Sequence, residues 1–176
     1  MAETVEQYIA RIKGLVGDKD PVEILKQTPS MIRELVASAS PAALEHRSAP
    51  GKWNIRQQVA HLADAEVVMT SRLRWAAAQP GSGIVAFDQD KWAATAKYAD
   101  IPIATSLATF TTVRAWTLDL LGRLIPAERA GHITHPERGV ETVTTMLTMM
   151  AGHDLNHLQQ MTKLAAAAGG NSTHAM

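Results

Sequence analysis

The chain has 176 residues, 46% of them hydrophobic and only 5% aromatic, a length and composition that suit one domain around a mainly aliphatic core. Lys plus Arg and Asp plus Glu each number 17, so the formal net charge is zero, and no basic excess or basic amphipathic helix points to nucleic acid or a membrane surface. Cysteine is absent, which excludes disulfides, thiolate metal ligands and a cysteine nucleophile.

The opening stretch MAETVEQYIARIK has acidic residues where a signal peptide would be basic, and no apolar run reaches membrane-spanning length, so a cytoplasmic protein is expected. Val5, Ile9, Ile12 and Val16 mark a short first helix that stops near Gly17. Asp20-Pro21-Val22-Glu23 is a helix start: Asp caps, Pro fits the first helical position, and Glu falls three after the cap. That helix should reach about Ala39, kinked at Pro29, with Ile24, Met31 and Leu35 facing inward. A connection with Pro41, Pro50 and Gly51 follows, holding one turn at Pro41 to Leu44.

Asn54 and Gln57 form a capping box, and Ile55, Val59, Leu62, Met69 and Leu73 stripe the next helix as far as Gln79, where Pro80-Gly81-Ser82-Gly83 breaks it. From Ile84 to Pro102 the pattern predicts an ordered loop with a short helix near Asp88, Gln89, Asp90 and Trp92. Leu107, Phe110, Leu118, Leu121 and Ile125 mark another long helix, and Pro126 to Thr142 a second long connection. The last helix runs from near Thr142 to about Ala168, and the tail GGNSTHAM is expected to be disordered. Four long amphipathic segments, no convincing strand and no repeat predict an all-α helix bundle, one domain over 1–168 with a tail over 169–176. The two long connections argue against strict up-and-down order.

Of the seven histidines, His153 and His157 stand four apart in MLTMMAGHDLNHLQQM, stacked on one helix face among apolar neighbours. Unsatisfied imidazoles in a core are costly, so a metal ion or other polar partners must satisfy them. His61, beside Leu62 on the earlier stripe, is the only other histidine within a long helix. Three imidazoles brought to one point make a catalytic-type site for Zn, Ni or Fe. The same spacing also fits core histidines satisfied by neighbours or a solvated pair, and the residues alone leave these readings open. His46, His132 and His135 fall in connections, and His174 in the tail.

The run GKWNIRQQVAHLADAE, then FDQDKW, HPERGVETV and AGHDLNHLQQM, resembles the DinB/YfiT-like superfamily over nearly the whole chain, from about Asp20 to Leu164. Neither motif is specific alone; the combination of KW, cap and HLAD with a distant HDxxH is. The resemblance implies a four-helix bundle, often up-down-down-up and often dimeric, and a divalent metal held by His61, His153 and His157. Asn54 and Gln57 stand where the family often has Ser and Glu, and both pairs cap a helix. Some relatives activate a low-molecular-weight thiol such as bacillithiol or mycothiol for S-transfer or isomerisation, and others look hydrolase-like.

The expectation is therefore a metal-dependent enzyme with Zn or Ni, and Fe as a further candidate, acting on a small molecule. Without cysteine, a thiol nucleophile must come from a cosubstrate. Metal-assisted hydrolysis is the alternative, as is a non-catalytic, metal-stabilised binding module. A homodimer is expected.

Around the histidines, Asp64 lies one turn after His61 and is a candidate to orient an imidazole N–H. Arg72, about three turns on along the same face, is a candidate to bind an anionic substrate or a structural arginine. Asp154 lies about 100° round the helix from His153 and reads better as a surface ion-pair residue. Gln160 lines the pocket mouth or faces solvent. Asp88, Asp90 and Trp92 close over the pocket, or cap a short helix and pack in the core. His135 to Gly139 reads as a turn, and Met146, Met149 and Met150 as core filler. A ferritin-like di-iron site is disfavoured because Glu-x-x-His does not occur, and a zincin because the segment reads HDLNH.

Overall fold

Residues 3–170 are described by a computed structural model, and the helices opened by Asp20 and Asn54 begin where those capping residues place them. Helix α1 spans Val5–Val16 and α2 spans Pro21–Ser38, with the Asp20 carboxylate accepting from the Val22 amide at 2.8 Å. A single turn, α3 (Pro41–Glu45), leads to α4 (Ile55–Ala78), whose Asn54 and Gln57 cap each other in both directions. Asp88 caps the short α5 (Gln89–Thr95), followed by α6 (Ile103–Arg123), α7 (Pro126–Arg129) and the long α8 (Val143–Gly170). The tail assigned to 169–176 lies outside the described residues from 171 onward. No helix among the described residues is long and apolar enough to cross a membrane.

Helices α2, α4, α6 and α8 form the bundle. Both α2 and α4 border α6 and α8, so α2 and α4 stand across a diagonal. Glu66 meets Arg114 and Thr70 meets Thr117, so α4 and α6 run parallel. Gln58 meets His157 and His61 meets His153, so α4 and α8 run antiparallel. Leu25 shares one core cluster with Met150, Thr28 bonds Asp154, and Ile32 shares the other cluster with Met161, so α2 and α8 point the same way. The order is up-down-down-up, and the long connections are the crossovers it requires.

The core is two apolar clusters with a polar layer between them. One holds Leu25, Leu73, Leu121, Met146 and Met150; the other holds Ile32, Val59, Leu62, Phe110 and Met161. On each bundle helix, the inward positions between these clusters carry polar groups: Thr28, Glu66 and Thr70, Arg114 and Thr117, and Asp154 and His157, all buried. Arg114 Nη2 donates to Glu66 at 2.7 Å, and Nη1 reaches Asp154 at 2.7 Å and Thr28 Oγ1 at 3.1 Å. It also donates to the Leu25 carbonyl at 3.1 Å. Pro29, four residues after Leu25, has no N–H to give that carbonyl, so the arginine supplies the donor that the helix lacks. Helix α2 continues through Pro29 on this support.

Several expectations are corrected. Asp154 is not a surface residue: it is buried, accepting from Arg114 and from Thr28 Oγ1 at 2.6 Å. Met31 is 42% exposed, because the inner face of α2 follows Leu25, Thr28 and Ile32 instead. Ile125 falls beyond α6 and is exposed. The second connection is partly strand. β1 (Ser82–Gly83) pairs in parallel with β2 (His132–His135), which pairs antiparallel with β3 (Gly139–Thr142). Gly131 brings this sheet against the end of α4, where a Cβ would stand 1.9 Å from the Ala76 carbonyl oxygen. Helix α1 lies outside the bundle on α8, its Ile12 against Gly152 and its Arg11 donating to Asn156 at 2.8 Å.

Candidate metal centre

His61 on α4 and His153 and His157 on α8 each offer one ring nitrogen to a cluster in which these atoms lie within 4.8 Å of one another. The antiparallel register of α4 against α8 brings them together, and the spacing of four stacks the α8 pair with ring centroids 4.5 Å apart. His61 Nε2 and His153 Nε2 are 3.0 Å apart. One hydrogen bond can join these two rings, and it leaves His61 Nδ1 buried with no partner among the described residues. Two imidazole nitrogens each about 2.0–2.1 Å from one ion would stand at a similar separation, so the donor set fits a divalent metal.

His157 is oriented from α4. Its Nδ1 donates to Gln58 Oε1 at 3.0 Å, and Gln58 Nε2 in turn reaches the Trp53 carbonyl at 3.5 Å. This fixes the tautomer and leaves the His157 Nε2 lone pair facing the cluster. Burial lowers the pKa of all three rings, that of His61 to about 2, with repulsion from His153 adding to the effect at His61 and His157. At neutral pH the imidazoles are therefore uncharged and their lone pairs free. Phe87 stacks on His61 with ring planes 3° apart, and Trp53 leans on the same imidazole, ring centroids 4.9 Å apart.

The cluster is open on two sides. A cavity of about 320 Å³ is lined by His61 and His153, and a second of about 540 Å³ by His153 and His157. Tyr8 of α1 and Gln89 of α5 line both. The first continues along α4 to Arg72 and to His135, Glu137 and Arg138 of the β2–β3 hairpin. The second is bordered by Ser48, Lys52, Asn156, Gln160 and Lys163.

The expected surroundings are only partly in place. Asp64 does not orient His61; it accepts from the Tyr98 hydroxyl at 2.7 Å. Arg72 does line the cavity and is buried. Gln160 is exposed at the mouth of the second cavity. Asp88 caps α5, while Trp92 is 43% exposed and meets Phe87 edge-on instead of packing in the core. His135 to Gly139 forms the hairpin turn, and it also supplies cavity residues. Gln58, Tyr8 and Phe87 were not foreseen. The one local signal was Gln58, a polar residue one turn before His61.

The DinB superfamily model matches residues 24–161, more than three quarters of the chain and all three histidines. The chain belongs to the DinB superfamily. Its relatives include a protein of Oceanobacillus iheyensis, 29% identical over 143 residues that make up 80% of this chain and 82% of the relative. Another, from Geobacillus kaustophilus, is 27% identical over 170 residues, 96% of this chain and 88% of the relative. Both are named provisionally as metal-dependent hydrolases. The solved structure of YfiT from Bacillus subtilis, described as having an unusual four-helix bundle topology, superposes with a TM-score of 0.78. The match covers 96% of this chain and 91% of that one at 20% identity, a shared fold.

Proposed function

We propose that His61, His153 and His157 hold a divalent metal, and that the protein is a metal-dependent transferase using an external low-molecular-weight thiol. The carrying observation is that His153 lines two adjoining cavities, with His61 on one and His157 on the other. A structural ion calls for a closed sphere, and a hydrolase needs space for one substrate and water; two cavities meeting at one ligand cluster suit two reactants. A divalent ion there would lower the pKa of a bound thiol or water and make it a nucleophile at neutral pH.

The residues themselves do the rest. Gln58 holds His157 so that its Nε2 faces the cluster. Phe87 and Trp53 enclose the His61 ring and keep water off that side. The larger cavity, with Ser48, Lys52, Asn156 and Lys163 on its border, suits a hydrophilic thiol cosubstrate. The smaller one, with Leu62, Met69 and Met149 on its wall, takes the electrophile.

Hydrolysis is the second reading, favoured by the provisional names of the relatives. An anaerobic assay of metal-loaded protein with a panel of thiols and electrophiles separates the two. Thiol-dependent consumption of an electrophile, lost in His61→Ala, is expected. Equal turnover without thiol would establish hydrolysis, and no turnover with any thiol would contradict transfer.

A further inference from the structure

Arg72 stands at the end of the smaller cavity, about eleven residues or 16 Å along α4 from His61 and on the same face. It is only 4% exposed, yet among the described residues it forms no ion pair. Its Nη2 donates to the Val85 carbonyl at 3.0 Å, and its Nη1 has only the Met69 sulfur at 3.7 Å. A guanidinium carries five N–H groups in a planar fork, and burying one without a carboxylate is costly. The contact with Met69, one turn back, shows the side chain laid toward the helix N-terminus and so toward the histidines.

The neighbouring groups select what would complete it. Arg138 is already neutralised by a two-point ion pair with Glu141, at 2.8 and 3.0 Å. His135 Nδ1 accepts from the Glu137 amide at 3.1 Å, so in the neutral ring Nε2 carries the proton and is a donor. One uncompensated positive charge with a neutral donor nearby matches a monoanion, and the planar fork matches a carboxylate. A phosphate dianion would bring a second charge with nothing to neutralise it.

We propose that Arg72 anchors a carboxylate of the substrate, so that this protein acts on small molecules bearing a carboxylate at one end and the reacting centre at the other. The inference rests on the smaller cavity being the electrophile's side of the metal centre. The wall between the two ends carries Leu62, Ala65 and Met69, with the Arg114–Glu66–Asp154 network lining it beside them.

Calorimetric titration of the full-length, metal-loaded protein tests this with phenylalkanoates from phenylacetate to phenylvalerate, their primary amides and inorganic phosphate. At least one acid should bind about tenfold or more tightly than its amide. In Arg72→Met that preference should vanish, and in Arg72→Lys part of it should remain. His157→Ala removes a ligand that borders only the other cavity, and the preference should survive there, which separates this anchor from the metal reading. Equal binding of acid and amide by the unaltered protein would overturn the proposal without recourse to any variant, as would binding of none of the acids. A preference unchanged in Arg72→Met and lost in His157→Ala would place the carboxylate on the metal instead. Phosphate binding tighter than every acid would overturn the carboxylate assignment.

Discussion

Arg114 donates to the main-chain carbonyl of Leu25, the one that Pro29 leaves without a helical partner. The same guanidinium holds Glu66 and Asp154, so one side chain on α6 ties α2, α4 and α8 together beside the histidines. Burial raises the Glu66 pKa even against the pull of Arg114.

Replacing that arginine should therefore be among the most damaging single changes in the chain. Arg114→Met strips two buried carboxyl groups and a carbonyl of their donor and should cost about 3–5 kcal/mol, read from urea unfolding. Arg123→Ala, which breaks the exposed i,i+4 pair with Asp119, should cost less than about 1 kcal/mol. Equal effects from the two would contradict the network's role.

Gly152 faces Ile12 so closely that a Cβ would lie 2.2 Å from the Ile12 carbonyl oxygen. Gly152→Ala must push α1 away from α8, at a cost of about 1–3 kcal/mol. Because Tyr8 of α1 lines both cavities, proteolysis within α1 should speed up and ligand binding should weaken together. A variant as stable as the unaltered protein would show that α1 is not held by this contact.

Gln58→Leu removes the acceptor that orients His157 while keeping the volume nearly unchanged. Metal affinity, measured by competition with a chelator, should fall about 10–100-fold with little change in helix content. Unchanged affinity would mean that the His157 ring is held by packing alone.

The metal-free protein should lose stability on mild acidification. The folded histidines have pKa values below the ordinary 6.5, that of His61 about 2, so the unfolded chain takes up protons that the folded site refuses. Their contribution is complete above pH 6.5 and is lost as the pH falls from there toward the folded values. Between about pH 6.5 and 5, before most carboxylates titrate, each imidazole lowers stability by up to about 1.4 kcal/mol per pH unit. Melting curves across that window should show the decline, shallower in His61→Phe; a flat profile would contradict it.

The helices were legible because their signals are local: Asp20-Pro21 and Asn54 with Gln57 cap within three residues, and Ile55 to Leu73 stripe one face. The three histidines were legible because two share a helix and the third sits on an inward stripe. What escaped depended on partners far along the chain. Asp154 does point away from His153, but the space it enters lies between α2 and α6 and not in solvent. Arg114 and Glu66 lie on inward stripes of their helices, where a charge looks like an interruption until the two are seen to meet. Strands of two to four residues, with Ser82 pairing to Ile133, are too short to carry a period. Asp64 lay one turn from His61 as expected, yet Tyr98, thirty-four positions on, claims its carboxylate.

The convergence of His61, His153 and His157 on one ion is tested most directly by elemental analysis of the protein purified without an affinity tag, alongside His153→Ala. About one divalent ion per chain is expected in the unaltered protein, with nearly all of it lost in the variant while the helix content persists. Full metal retention in His153→Ala would contradict the site.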